Sequence, residues 1–253
     1  MRPNLLILAG TTEATALARA AAEAGLAGTV SFAGRVERPL RQPLPQRIGG
    51  FGGPEGLAAY LAANGITHVV DATHPFAAQM SANAVAGCAA AGVPLVALTR
   101  PPWQPVPGDD WIRVSDIAGA VAALAGPARR VLLAVGRMHL QEFAPNPQHF
   151  YLLRLVDPPA MPPPFPRVHA VVDRGPFAEE ADRALLTEHR IDLVVSKNAG
   201  GSGAYAKIAA ARALGLRVIM IDRPDLPDRP ERATPAEVLD WVAETHAGTE
   251  RGV

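Results

Sequence analysis

Residues 4–26 have the sequence NLLILAGTTEATALARAAAEAGL, in which an uninterrupted apolar run is followed by a glycine-containing turn and an alanine-rich stretch. The apolar run predicts a strand buried on both faces. The alanine-rich stretch predicts a helix that Thr11 or Thr12 can cap. The same alternation recurs along the chain, and near-continuous apolar strands separated by helices are typical of parallel sheets covered on both faces. The sequence therefore predicts an α/β fold.

A related unit occurs twice. Residues 65–103 and 189–227 each contain a strand, a polar loop, a helix and a second strand that ends in Arg-Pro. The proline-rich stretch 101–107 predicts a linker, so we expect one domain over residues 1–109 and a second over 110–253. Because open α/β sheets bind ligands at the carboxyl ends of their strands, we expect a cleft between the two domains.

Composition restricts the class of protein. With 253 residues, 49% of them apolar, the chain can form sizeable cores without disulfides, and Cys88 is its single cysteine. The formal net charge of zero argues against a nucleic-acid binder that depends on a broad basic surface. No run approaches the ~18 apolar residues of a membrane helix, and the N-terminus lacks the features of a signal peptide. We expect a cytoplasmic protein without nucleic-acid or membrane partners.

The first turn has the features of a phosphate-binding loop. Gly10 permits a close backbone approach, and Thr11, Thr12 and Glu13 follow at the start of the predicted helix. Free N–H groups at a helix start suit a pyrophosphate, so we expect these four residues to bind a dinucleotide. The turn lacks the G-x-G-x-x-G fingerprint, and the alternative is an ordinary capped helix.

The end of the second predicted strand indicates which dinucleotide. Gly34 and Arg35 stand where NAD-preferring enzymes carry an acid for the ribose, and an arginine there can pair with the 2′-phosphate of NADP. The alternative for Arg35 is a solvated surface arginine. Gly50 lies in the glycine-dense stretch 49–53, which predicts either a backbone lying against the cofactor or a flexible loop.

Two further strand ends carry candidate residues. Thr73 and His74 follow the strand that ends near Asp71; we expect Thr73 to contact the cofactor and consider His74 for acid–base chemistry. The counterpart loop, 196–201, contains Lys197, whose ammonium group can hold a carboxylate or donate a proton. The sequence has no convincing metal-ligand cluster and no G-x-S-x-G elbow, so hydrolase and metalloenzyme functions are not favoured.

Five stretches make the chain similar to a known family: LILAGTTEA, VVDATHPFA, DRGPF at 173–177, VSKNAGG and KIAAARALGLRVIMIDRP. In this order and spacing they resemble the precorrin-6A reductases of cobalamin synthesis over nearly the whole chain. The resemblance implies two Rossmann-like domains, with the cofactor on the N-terminal one. It also implies NADPH-dependent reduction of a carbon–carbon double bond of precorrin-6A to give precorrin-6B, and possible hand-over of the substrate from neighbouring pathway enzymes.

The implied substrate is a tetrapyrrole with several carboxylate arms, which needs cations and polar groups near the strand ends. The residues expected to bind it are Arg100, Arg137, Arg174, Ser196, Lys197, Asn198, Gly200, Gly201 and Arg223. The proton that accompanies the hydride has three candidate sources: Lys197, His74 and water. Three alternatives stay open: a cobalt-precorrin-6A reductase, a non-catalytic nucleotide-binding protein, and a methyltransferase.

Overall fold

The computed structural model describes residues 2–34, 41–159, 161–173, 175 and 177–251. The chain divides into two compact units. The first unit comprises Met1–Pro101 and Asp225–Val253, and the second comprises Pro102–Pro224. Each unit is built on its own six-stranded sheet, in which the strand pairings are parallel.

The sheet of the first unit has six strands. Its strands are β1 (Asn4–Ala9), β2 (Ala27–Phe32), β3 (Gln46–Ile48), β4 (His68–Ala72), β5 (Leu95–Leu98) and β12 (Glu231–Arg232). Their order is β12-β5-β4-β1-β2-β3. Strand order reverses between β1 and β4, and in open α/β sheets such a switch point is where ligands bind.

Helices of the first unit complete two apolar cores. They are α1 (Thr12–Glu23), α2 (Pro54–Ala63), α3 (Ala78–Ala91) and α7 (Pro235–Arg251). Leu17 of α1 and Val238 of α7 share one core with alternate residues of β1, while Leu57 of α2 and Ala84 of α3 share the other. Successive side chains of β1 thus enter opposite cores, which explains why its sequence is apolar throughout.

The second unit repeats the arrangement. Its strands are β6 (Asp110–Val114), β7 (Arg130–Ala134), β8 (Phe150–Leu155), β9 (Val168–Val172), β10 (Leu193–Lys197) and β11 (Arg217–Ile221), in the order β6-β11-β10-β7-β8-β9. Its helices are α4 (Ile117–Ala123), α5 (Glu179–Glu188), α6 (Ala206–Ala213) and a 3₁₀ helix, Arg137–Phe143. Strands β7 to β11 occupy the same places as β1 to β5, so β4 corresponds to β10 and the switch point lies between β7 and β10.

Five strands of each sheet are consecutive in the chain, β1 to β5 in the first unit and β7 to β11 in the second. The sixth strand of each sheet, β12 or β6, is not part of that consecutive run. After β5 the chain continues into β6, which pairs with β11 of the second unit. After β11 it continues into β12, which pairs with β5 of the first unit through Glu231 and Arg232. In each unit, therefore, the sixth strand and the helix after it follow, in chain order, the fifth strand of the other unit's sheet.

This exchange differs from the predicted domain boundaries. The division falls after Pro101, within the proline-rich stretch, and not after residue 109. Residues 225–253, expected in the second domain, belong to the first because β12 pairs with β5 and Val238 and Val242 of α7 are buried in its core. The predicted α/β class, with two parallel sheets, is confirmed.

Within the part of the chain that the structure describes, no helix has the length and apolar character needed to cross a membrane.

Candidate functional site

The turn after β1 is fixed to the end of β4. Thr11 is the N-cap of α1: its hydroxyl accepts a hydrogen bond from the Ala14 amide at 3.2 Å and donates one to the Ala72 carbonyl at 2.9 Å. At Gly10 a Cβ atom would lie only 3.3 Å from the backbone nitrogen of His74. Glycine at this position lets two backbone segments approach closely, and a side chain would have to displace the loop after β4 by a few tenths of an ångström.

A buried carboxylate organises the loop after β4. Asp71 is 2% exposed, and one of its oxygens accepts from both the amide and the hydroxyl of Thr73, at 3.1 and 2.6 Å. The other oxygen accepts from the Ser81 hydroxyl at 2.6 Å and from Arg229 at 2.9 Å. Asp71 is thus a structural anchor that holds Thr73 in place, and Arg229 is a partner that the sequence did not reveal.

Loops after β1, β4 and β5 border a small hollow that is open to solvent on one side. It is lined by Thr11, Glu13, Thr73, Pro75, Leu98, Thr99 and Arg100. Three of these residues are predicted cofactor contacts, and they lie beside the switch point of the first sheet. The hollow therefore brings three of the predicted cofactor residues together.

Arg100 lies in this hollow among the predicted cofactor residues. It forms an ion pair with Glu13, and the two side chains are 15% and 25% exposed. Thr12 also donates to the Glu13 carboxylate, at 3.0 Å. A carboxylate in the first turn of a phosphate-binding helix would repel a diphosphate, and Arg100 supplies the countercharge. This position favours a cofactor role for Arg100 over the expected substrate role.

His74 borders the same region of the first unit. Its Nδ1 accepts a hydrogen bond from the Phe76 amide at 3.2 Å, so in the neutral ring Nε2 carries the proton. The ring is therefore held in a tautomer that can donate from Nε2, and its catalytic role stays a prediction.

Of the remaining predicted cofactor residues, Gly34 lies just after β2 and Gly50 just after β3. Gly34 has a positive φ of 76°. Arg35 lies outside the described residues. Gly50 lies in a loop held by Arg47, whose guanidinium donates to the carbonyls of Gly49 and Gly50, at 3.0 and 3.1 Å.

Arg47 was not anticipated from the sequence, because an arginine on a three-residue strand carries no recognisable pattern. Its guanidinium also donates to the Ser31 hydroxyl at 2.7 Å, and it stacks on Phe51 with 3.9 Å between its central carbon and the ring centroid. Arg47 therefore shapes the glycine-dense loop at the end of the second strand.

In the second unit, the loop after β10 is held largely by its own polar groups. Ser196 is fully buried and its hydroxyl donates to the Lys197 carbonyl at 3.1 Å. Asn198 is 4% exposed, and its side-chain amide accepts from the Trp103 amide at 2.8 Å and donates to the Trp103 carbonyl at 2.9 Å. The expected substrate contacts of Ser196 and Asn198 do not fit this arrangement, because both side chains are buried within the framework of the loop.

Trp103 is a residue whose role the sequence did not indicate. It lies in the stretch predicted to be a linker, yet it is 8% exposed and its indole N–H donates to the Gly201 carbonyl at 2.7 Å. A large aromatic residue between prolines was the one available indication that this stretch packs against a partner.

The other predicted substrate residues that the structure describes in this unit lie at or after the ends of β7, β10 and β11. Arg223 follows β11 and donates to the carbonyls of Asn198 and Ala199, at 3.1 and 3.0 Å. Lys197 is the half-buried last residue of β10, and Arg137 is exposed at the start of the 3₁₀ helix after β7. Gly200 and Gly201 both have positive φ, 69° and 64°. Arg174 lies outside the described residues.

Comparison with known proteins identifies the family of the chain. The family model "Precorrin-6x reductase CbiJ/CobK" matches residues 4–243. The precorrin-6A reductase of Rhodobacter capsulatus is 56% identical over 99% of both chains, and the cobalt-precorrin-6A reductase of Priestia megaterium is 30% identical over 88% of this chain and 91% of its own. A solved structure of a CobK precorrin-6A reductase superposes with a TM-score of 0.93 at 55% identity, covering 96% of each chain. The resemblance noted in the sequence is confirmed, and the chain belongs to the precorrin-6x reductase family.

Proposed function

We propose that this protein is an NADPH-dependent precorrin-6A reductase that acts in the cytoplasm. The observation that carries the proposal is the hollow at the switch point of the first sheet, where the capped start of α1, Gly10, Thr73 and Arg100 meet. Membership of the precorrin-6x reductase family supports the same proposal.

The residues around the hollow fit a dinucleotide. Gly10 has no side chain, so the backbone itself is available to a phosphate, and the 12-residue helix α1 directs its free N–H groups and partial positive charge toward the turn. Gly10, Thr11, Thr12, Glu13 and Thr73 would hold the diphosphate region. Gly34, Arg35 and Gly50 would hold the adenosine part, with Arg35 pairing with the 2′-phosphate.

NADPH supplies the hydride when it is bound; this chain supplies position, charge and protons. The loops after β7, β10 and β11 in the second unit provide cations for the carboxylate arms of the substrate: Arg137, Lys197 and Arg223, together with Arg174. Gly200 and Gly201 let the backbone approach the macrocycle closely. His74 and Lys197 are the two side chains we assign as candidate proton donors.

Oxidation of NADPH, followed at the nicotinamide absorbance, tests the proposal. We expect turnover with precorrin-6A and a much lower rate with NADH. Lys197→Ala should raise the KM for precorrin-6A by about tenfold, the loss of one charge-assisted contact, and leave the Kd for NADPH unchanged. Absence of precorrin-dependent oxidation would reject the reductase, and binding without turnover would favour the nucleotide-binding alternative.

A cobalt-precorrin-6A reductase is the second candidate, because relatives of that name also match. The degree of similarity favours the metal-free substrate: 56% identity to the Rhodobacter capsulatus enzyme against 30% to the Priestia megaterium one. Parallel assays with the two substrates at equal concentration discriminate between them, and a higher kcat/KM for the cobalt form would reverse the assignment.

A further inference from the structure

One buried cation in the second unit has no place in the proposed chemistry. Lys207 lies in the first turn of α6 and is 5% exposed. Lysine is rarely buried, because removing an ammonium group from water costs several kcal/mol unless it is compensated. It is also one of only two lysines among 24 basic residues.

The surroundings compensate the amine only in part. Its Nζ donates to the Ala204 carbonyl at 2.7 Å and lies 5.0 Å from the centroid of the Trp103 ring. The neighbouring ion pair of Arg154 and Asp182 is itself buried, with side chains 7% and 4% exposed. Burial and then Arg154 lower the pKa of Lys207 to about 7, against the opposing effect of Asp182.

The contacts of Lys207 and Trp103 converge on one loop, residues 198–204. Trp103 holds the start of the loop through Asn198 and its middle through the Gly201 carbonyl. Lys207 holds its end through the Ala204 carbonyl and also contacts the Trp103 ring. The loop contains Gly200 and Gly201, the backbone positions that the proposed function assigns to the substrate.

We propose that Lys207 is a positioning residue for substrate binding: through the Ala204 carbonyl and the Trp103 ring it fixes the loop 198–204 in its binding shape. The inference rests on the proposed function for the identity of the substrate. An apolar side chain of similar length would fill the same volume without burying an amine. It would leave the Ala204 carbonyl without its donor, so the loop would lose its fixed end while the core would not suffer.

Lys207→Met and Lys207→Gln form the test, since they have similar size and only glutamine keeps a donor. Arg217→Met is the matched control: it removes a cation at the amino end of β11, where the ion pair with Asp110 is half exposed. We expect Lys207→Met to raise the KM for precorrin-6A about tenfold, which corresponds to about 1.4 kcal/mol. The melting temperature should stay equal or rise, and the Kd for NADPH should stay within about twofold. The Lys207→Gln and Arg217→Met variants should keep KM within about threefold of the wild type.

Hydrogen exchange of the peptide covering residues 198–204 gives a readout that needs no substrate. Faster exchange confined to this loop in Lys207→Met supports the positioning role, even if the wild type fails to reduce precorrin-6A and the proposed function falls. Unchanged exchange, or a lower melting temperature with faster exchange throughout the second unit, would show that Lys207 is merely structural and would overturn the inference. If Lys207→Met does not fold, Lys207→Leu, which likewise lacks a donor, replaces it: faster exchange confined to residues 198–204 supports the inference, and unchanged exchange overturns it.

Discussion

The two sheets share one strand order, but the turns after their first strands differ. After β1 the chain enters the 12-residue helix α1, capped by Thr11, whereas after β7 it enters a 3₁₀ helix of seven residues whose N-cap, Gly136, has no side chain to offer. A long capped α-helix directs several free N–H groups and its dipole at one point, and a short 3₁₀ helix does so poorly. The first unit therefore presents a capped α-helix start that its counterpart lacks, and this difference is why we propose the phosphate site there.

Equivalent positions after β4 and β10 differ as well. Asp71 and Ser196 occupy the same register, opposite Leu8 of β1 and Ala134 of β7. Asp71 is charged, buried and bonded to Arg229, while Ser196 is neutral and bonded to its own backbone. The first unit thus depends on a buried ion pair at its site, and the second depends on neutral contacts around Trp103.

The largest loss of stability should come from replacing Asp71, the charged residue of these two equivalent positions. Asp71→Ala leaves the Arg229 guanidinium, 7% exposed, without its main partner, and breaking a buried ion pair costs about 3–5 kcal/mol. Ser196→Ala removes one hydrogen bond and should cost about 1 kcal/mol. Native-state hydrogen exchange of β4 and β10 measures the two losses separately. Arg229→Met in the Asp71→Ala background should recover part of the stability, and equal losses in the two single variants would contradict the comparison.

The next largest effect should be on cofactor affinity, through the charges at the turn after β1. Arg100→Ala leaves the Glu13 carboxylate without its countercharge at the proposed phosphate site, so we expect the Kd for NADPH to rise about 10- to 100-fold, or roughly 1.4–2.7 kcal/mol. The double variant Glu13→Gln with Arg100→Ala should recover most of this affinity. Calorimetric titration with NADPH gives both values. A double variant as weak as Arg100→Ala would show that Arg100 contacts the ligand directly.

The sequence predicts the strands that position the loops of both candidate sites. β1, β4 and β10 were located because an uninterrupted apolar run is a local property, and the Gly10–Thr11 turn and the loop after Lys197 follow from polar residues at the ends of those runs. Gly10, Thr11, Glu13 and Thr73 do lie together at the switch point.

The residues that were missed act over long sequence separations. β12 has two residues, Glu231 and Arg232, and no apolar pattern in the sequence predicts its pairing with β5. Arg229 and Trp103 acquire their partners, Asp71 and Asn198, only when distant segments meet. Because burial of such groups depends on tertiary contacts, the sequence alone assigned Ser196 and Asn198 to the substrate when they belong to the framework of the loop.

Acid should weaken the first unit selectively. His68 is 2% exposed, and burial, followed by the nearby His246, lowers its pKa to about 4. The unfolded chain binds this proton near pH 6.5, so stability falls as the pH decreases from 6.5 toward 4. We expect exchange of β4 to accelerate over this window, with a decrease in melting temperature on the order of 5 °C. His68→Phe should remove most of the dependence, and an unchanged pH profile in that variant would assign it to other groups.

The second unit should respond in a different pH range, through Lys207. An unfolded lysine keeps its proton up to pH about 10.5, whereas Lys207 releases it near pH 7, so the folded state gains stability as the pH rises between these values. Lys207→Met lacks this titration. The melting temperature of the variant should therefore exceed that of the wild type most at pH 7, and the excess should shrink by an amount on the order of 5 °C toward pH 9.5. Calorimetry at the two pH values, with Arg217→Met as the control whose offset stays constant, measures the change. A constant excess for Lys207→Met would mean that the amine stays protonated in the fold, held by Asp182 and Trp103 against the effects of burial and Arg154.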